Sequence, residues 1–220
     1  MIKAVIFDMD GLMIDSERVT YEGYVIECKK LGVVMDEEFY KRLLGRTLPE
    51  VYLMFREKYG EAFPMDDVLK KVHKYMDDRF AGEGVPVKKG LRKLLGYLKE
   101  HGYRTVVATS SGRQRVDRIL KLADLEAYFD DSVCGDEVTK GKPDPEVFLK
   151  ACEKAEAEPG EALVLEDSEA GISAAFAAGI PVVCVPDMKY PEKEYAAKAY
   201  KIVESLDEVA DILVYMGGQA

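Results

Sequence analysis

An unbroken apolar run, Ala4 to Phe7, ends in two aspartates, Asp8 and Asp10, one residue apart. A short run of this kind, followed by the turn signal of Gly11, reads as a buried strand. Side chains alternate along a strand, so Asp8 and Asp10 point to one side and Met9 to the other. After Asp15 the pattern becomes helical. Tyr21, Val25 and Cys28 recur at helical spacing, and Asp36 precedes a short helix carrying Phe39 and Leu43. Thr47 and Glu50 form a capping-box pattern ahead of Val51, Met54 and Phe55, and Val68, Val72 and Met76 continue the period. Gly82, Gly84 and Pro86 then punctuate the chain. The expected organisation is an α-helical insertion over residues 17–84, set between the two parts of a core domain, residues 1–16 and 85–220.

From Lys88 onward, amphipathic helices alternate with short apolar runs: "YRTVVATSS", "DDSVCGDEV", "ALVLEDS" and "IPVVCVP" read as strands. This alternation predicts an α/β fold with a Rossmann-like parallel sheet covered on both faces. Such sheets bind ligands beyond the carboxyl ends of their strands. Those ends carry the chain's chemistry. The first delivers Asp8 and Asp10. "VVATSSG" offers the Thr109 hydroxyl and backbone N–H groups at Ser110 and Ser111 where a helix starts, which suits an oxyanion. Lys142 stands in "TKGKPDPE", and "VLEDS" ends in Glu166 and Asp167.

Each feature has an ordinary reading, as a helix cap, a turn acid or a surface lysine. Their coincidence at the ends of core strands is what discriminates. Several carboxylates facing one space repel unless a cation neutralises them, and an all-oxygen set suits Mg²⁺. Metal, lysine, hydroxyl and N–H groups together make a phosphoryl-binding constellation.

Composition narrows the partners. The 220 residues carry 31 basic and 41 acidic side chains, for a net charge of −10, which disfavours nucleic acid. The four cysteines, Cys28, Cys134, Cys152 and Cys184, have no CxxC spacing, and His73 and His101 are the only histidines, so neither a disulfide framework nor structural zinc is expected. No stretch has the pattern of a signal peptide or a membrane span. A cytoplasmic protein is expected. It is expected to act as a monomer, because no heptad or long apolar edge demands a partner.

"VIFDMDGLMIDSE", "VVATSS", "GKPDPEVF" and "VLEDSEAGISAAFAAG" resemble the four ordered motifs of the haloacid dehalogenase superfamily, in its phosphatase and phosphomutase branch. The resemblance spans essentially the whole chain and is similar in detail to β-phosphoglucomutase-like phosphatases, with the helical insertion resembling their cap domain. It implies a phosphatase for a small phosphorylated metabolite, with Asp8 as nucleophile and Asp10 as general acid and then base. Thr109, the Ser110 N–H and Lys142 would hold the phosphoryl group, and Lys142 would also act in catalysis by balancing charge between phosphate and nucleophile. Asp8, Asp10 through its backbone carbonyl, Asp167 and Glu166 would form the Mg²⁺ set, with Glu166 in direct or indirect contact. Arg46, after Gly45 in the cap, would meet an anionic substrate.

Departures from the resemblance bear on the reaction. Sugar-phosphate mutases of this group carry a histidine where Thr20 stands, an arginine where Leu48 stands and a Lys-Asn pair where Gly112 and Arg113 stand. Hydrolysis is therefore expected over a β-phosphoglucomutase-type mutase. A dehalogenase would have no need of Asp10. A phosphoacceptor receiver module would be shorter, without a helical insertion after its first strand.

Overall fold

The structure, a computed structural model, describes residues 1–218. The chain divides into two compact units, one of Met1–Asp15 with the chain from Val85 onward and the other of Ser16–Gly84.

The first unit is a parallel α/β layer structure. Its strands are β1 (Ala4–Phe7), β2 (Arg104–Ala108), β3 (Asp131–Val133), β4 (Ala162–Glu166), β5 (Val182–Cys184) and β6 (Lys201–Ile202). They form one sheet in the order β3-β2-β1-β4-β5-β6, with every pairing parallel. The apolar runs lack alternation because both faces are covered. On one face Ile6, Val106, Ala108 and Val164 pack in a single core with Val147, Phe148, Ile172 and Ala175. On the other, Val5, Phe7, Val107, Leu163 and Leu165 are fully buried, and Phe7 meets Phe129 edge to face at 5.5 Å.

The second unit is helical: α1 (Ser16–Lys30), α2 (Glu37–Leu43), α3 (Leu48–Tyr59) and α4 (Met65–Glu83). Asp36 caps α2 by accepting from the Phe39 N–H at 2.7 Å, and Glu50 reaches back to the Thr47 N–H at 2.8 Å. Phe55 is fully buried, with ring centroids of Tyr24, Phe39 and Phe63 at 5.3 to 5.5 Å.

The α/β unit continues with α5 (Leu91–Glu100), α6 (Arg113–Leu122), α7 (Glu146–Lys154), α8 (Glu169–Ala177), α9 (Lys193–Ala196) and α10 (Val209–Gly217). Strand β6 and helices α9 and α10 were not among the expected elements. Strand β6 has two residues at the sheet edge, too few to show a period.

The topology decides where the chemistry falls. From β1 the chain builds outward to β2 and β3, then returns to place β4 on the other side of β1. That reversal opens a crevice at the carboxyl ends of β1, β2 and β4. Phe7 stands opposite both Val107 and Leu165, so the next positions along the three strands are Asp8, Ala108 and Glu166.

Candidate active site

Lys142 ties those three positions together. Its ammonium donates to Asp8 Oδ1 at 2.6 Å, to the Ala108 carbonyl at 3.1 Å and to Glu166 Oε1 at 2.7 Å. It also lies over the Phe148 ring, 4.8 Å from the centroid. Its loop is held by the Glu146 carboxylate, which accepts from the Thr139 and Lys140 N–H groups at 2.9 Å each. The bond from Lys150 and those from this loop hold the Glu146 carboxyl down to about 2.

All three charged side chains are dry, with exposures of 6% for Lys142, 10% for Asp8 and 1% for Glu166. Burial raises the Asp8 carboxyl well above the usual carboxylate range; Lys142 opposes this, and the charges of Glu166 and Asp10 add to it. Burial by itself would lower the Lys142 ammonium, but Asp8 and Glu166 outweigh it and drive it up. The two shifts pull opposite ways on one ion pair. We take the pair as ionised, because Lys142 is shared between two carboxylates at hydrogen-bonding distance.

Both oxygens of Glu166 are engaged. Oε1 meets Lys142, while Oε2 accepts from the Asp167 N–H at 2.9 Å, the Ser168 N–H at 2.8 Å and the Ser168 hydroxyl at 2.9 Å. Its geometry is that of an anchor for Lys142 and for the start of α8. Asp167 turns instead toward the loop after β1. Gly11 has φ +86°, and a Cβ there would lie 2.2 Å from Asp167 Oδ2, so only glycine lets this carboxylate reach the Asp8–Asp10 turn. Among the described residues no three His, Cys, Asp or Glu side chains form a ready-made metal cluster.

At the end of β2 the Thr109 side chain is buried and its hydroxyl accepts from the Ser111 N–H at 3.1 Å. Ser110 is exposed at the mouth of this turn. Its backbone rests on Gly135, which follows β3: a Cβ at Gly135 would sit 2.1 Å from the Ser110 carbonyl oxygen. Gly135→Ala is therefore expected to push the Thr109–Ser111 turn out of place. Overpacking of this kind costs about 1–3 kcal/mol, a fall in melting temperature of about 2–10 °C for a chain of this size, with weaker binding of inorganic phosphate. Unchanged melting and phosphate affinity would mean that the turn is not held there.

Two contributors escaped the sequence reading, the side chains of Ser111 and Arg115. Ser111 Oγ donates to Asp10 Oδ2 at 2.8 Å, and Arg115 Nη2 donates to Asp10 Oδ1 at 2.6 Å. Arg113, by contrast, is spent on structure: Nη2 donates to Glu137 Oε1 at 2.7 Å and to the Ser132 carbonyl at 3.0 Å. Arg46 belongs to the helical unit, where it is largely exposed and faces Glu50 at 3.7 Å.

The α/β unit thus gathers Asp8, Lys142 and Glu166 by direct contact, sets Asp167 against Gly11, and opens the Thr109–Ser110 turn from the end of the adjoining strand. The family model for haloacid dehalogenase-like hydrolases matches residues 5–185. A phosphorylated carbohydrates phosphatase of Thermotoga maritima is 34% identical over 179 residues, which are 81% of this chain and 82% of that protein. A validoxylamine A 7'-phosphate phosphatase of Streptomyces hygroscopicus subsp. limoneus is 30% identical, covering 95% of this chain and 96% of that one. Among solved structures, a protein of Thermotoga maritima provisionally assigned as a beta-phosphoglucomutase superposes with a TM-score of 0.81 at 30% identity, covering 97% and 99% of the two chains. The chain belongs to the haloacid dehalogenase-like hydrolase family, and it is a phosphatase of that family.

Proposed function

We propose that this protein is a Mg²⁺-dependent phosphatase that hydrolyses a small phosphorylated metabolite, a sugar phosphate or similar phosphomonoester, through an aspartyl phosphate on Asp8. The observation that carries the reading is the buried Lys142 bridging Asp8 and Glu166 beside the Asp10–Gly11 turn that Asp167 reaches. The substrates named for the relatives fit the same class.

In the first step an Asp8 carboxylate oxygen attacks phosphorus, the bond to the leaving oxygen breaks, and Asp10 gives that oxygen its proton. In the second, Asp10 takes a proton from water, the water oxygen attacks phosphorus, and Asp8 is released with inorganic phosphate. Lys142 fixes the orientation of the Asp8 carboxylate and balances its charge, while Thr109 and the Ser110 N–H receive phosphoryl oxygens.

The donor set fits Mg²⁺, which takes one or two carboxylates with substrate phosphate and water completing its shell. Asp8, Asp167 and the Asp10 backbone carbonyl would hold it; Glu166, its oxygens already engaged, would support the site through Asp167 and Lys142. When bound, the ion would offset negative charge on the phosphoryl oxygens. Arg46 is the candidate in the helical unit for recognising the rest of the substrate, since an exposed pair such as that with Glu50 costs little to exchange.

Two observations favour hydrolysis over mutase chemistry. Arg113 is committed to Glu137 and Ser132, and Thr20 spends its hydroxyl on the Ser16 carbonyl at 2.8 Å. With Mg²⁺, β-glucose 1-phosphate and p-nitrophenyl phosphate are expected to release inorganic phosphate from the first turnovers. Excess chelator should abolish the release, Mg²⁺ should restore it, and Ca²⁺ should support much less. Accumulation of glucose 6-phosphate, stimulated by β-glucose 1,6-bisphosphate, would replace this reading with the mutase. Full activity in excess chelator would remove the metal.

A further inference from the structure

We infer that Arg115 is a positioning residue for Asp10, anchoring one carboxylate oxygen so that the other does the proton transfer. The inference rests on the reading of Asp10 as acid and base. Asp10 lies on a turn, and its side chain keeps 26% of its exposure, so neighbouring packing leaves its orientation open. An acid that must meet a leaving oxygen needs its direction held within roughly 0.5 Å and 10–20°. The direction comes from the first turn of α6.

There Arg115 Nη2 donates to Asp10 Oδ1 at 2.6 Å, Arg115 Nε donates to Ser111 Oγ at 3.2 Å, and Ser111 Oγ donates to Asp10 Oδ2 at 2.8 Å. The three groups close a ring in which each carboxylate oxygen has its own donor. The two bonds differ in kind. Oδ1 is held by a charge-assisted bond from a planar fork, whereas Oδ2 is held by a hydroxyl that can rotate away. Oδ1 is thus the anchor and Oδ2 the working oxygen. Arg115 Nε also donates to Ser111 Oγ, so one guanidinium holds both Asp10 and the hydroxyl that meets its working oxygen.

The base of the arrangement is itself fixed. The Arg113 N–H at the start of α6 donates to both oxygens of Asp136 at 3.1 Å, so the turn that carries Arg115 is tied to the turn that follows β3. A lysine at position 115 would keep the charge but lose the rigid planar fork that serves Asp10 and Ser111 at once. An ordinary partly exposed ion pair would affect stability slightly and chemistry not at all.

The test compares kcat/KM, which reports the steps through departure of the leaving group, for phenyl phosphate and p-nitrophenyl phosphate. The more basic phenolate needs its proton; p-nitrophenolate leaves with little help. Arg115→Ala is expected to lower kcat/KM for phenyl phosphate about 10- to 100-fold, with a several-fold smaller loss for p-nitrophenyl phosphate. Arg115→Lys should show the same selectivity in milder form, and millimolar guanidinium should recover part of the loss in Arg115→Ala. In the double variant with Asp10→Asn, removal of Arg115 should cost nothing further. Equal losses on both substrates, or a double variant that multiplies the single effects, would overturn the role of Arg115 while a leaving-group-selective Asp10→Asn keeps the acid assignment intact. If Asp10→Asn itself shows no selectivity, the acid assignment falls first.

Discussion

Asp8→Asn is expected to lose turnover by on the order of 10⁵-fold, as removal of a nucleophile does, and to melt at the same temperature as the parent or higher. The first outcome follows from the chemistry: the amide cannot form the aspartyl phosphate. The second follows from burial. Asp8 is a carboxyl that its surroundings push well above the usual range, because desolvation and two neighbouring carboxylates outweigh Lys142. An amide of the same shape escapes that cost and still offers an oxygen to the Lys142 ammonium, now 2.6 Å from Oδ1. Acid-quenched mass spectrometry of the parent during turnover should show a phosphate adduct on the peptide bearing Asp8, absent in the variant. Retained activity in Asp8→Asn, or a phosphate adduct elsewhere, would remove Asp8 from the nucleophile's role.

Lys142→Met is expected to fail in both respects. The substitution preserves much of the stem's volume over Phe148 but leaves Asp8 and Glu166 facing each other in a dry site. Breaking a buried pair by removing one partner costs about 3–5 kcal/mol, a fall in melting temperature of about 10 °C at this chain length. Turnover should drop at least about 10²-fold, the size seen when a preorganised charge is taken from a reacting group. The opposite stability signs for Asp8→Asn and Lys142→Met are the signature to measure. If both variants melt alike and above the parent, the Lys142 bridge is not what balances this pocket.

Much of this candidate site was legible in the sequence alone. Asp8, Thr109, Glu166 and Asp167 stand where an apolar run stops, and an apolar run is a local signal that a strand is buried on both faces. The cap at Asp36 was legible for a similar reason, since a cap bonds to backbone only three residues away. Arg115 had no such mark. It is one of several basic residues on an amphipathic helix, and nothing in its neighbourhood distinguishes it from a solvated side chain. Gly135 is equally unmarked, because its need for glycine comes from the Ser110 carbonyl of another strand's turn. Glu166 shows the limit from the other side: its place at a strand end suggested direct or indirect contact with a metal, and only the structure shows Oε1 accepting from Lys142 and Oε2 from the N–H groups of Asp167 and Ser168.

The sequence by itself determined the α/β class, most of the strands and helices, and the charged groups that follow the apolar runs, because periodicity and capping are properties of neighbouring residues. Only the tertiary structure decided which ends meet. The sheet order sets β1 between β2 and β4, and the register sets Asp8, Ala108 and Glu166 at successive strand ends, where one lysine reaches all three. Lys142 and Asp8 are 134 positions apart, and Arg115 and Asp10 are 105 apart. No local pattern encodes such a pairing; it exists because the chain reverses its direction of sheet growth after β3 and brings the two sides of the reversal against the first strand.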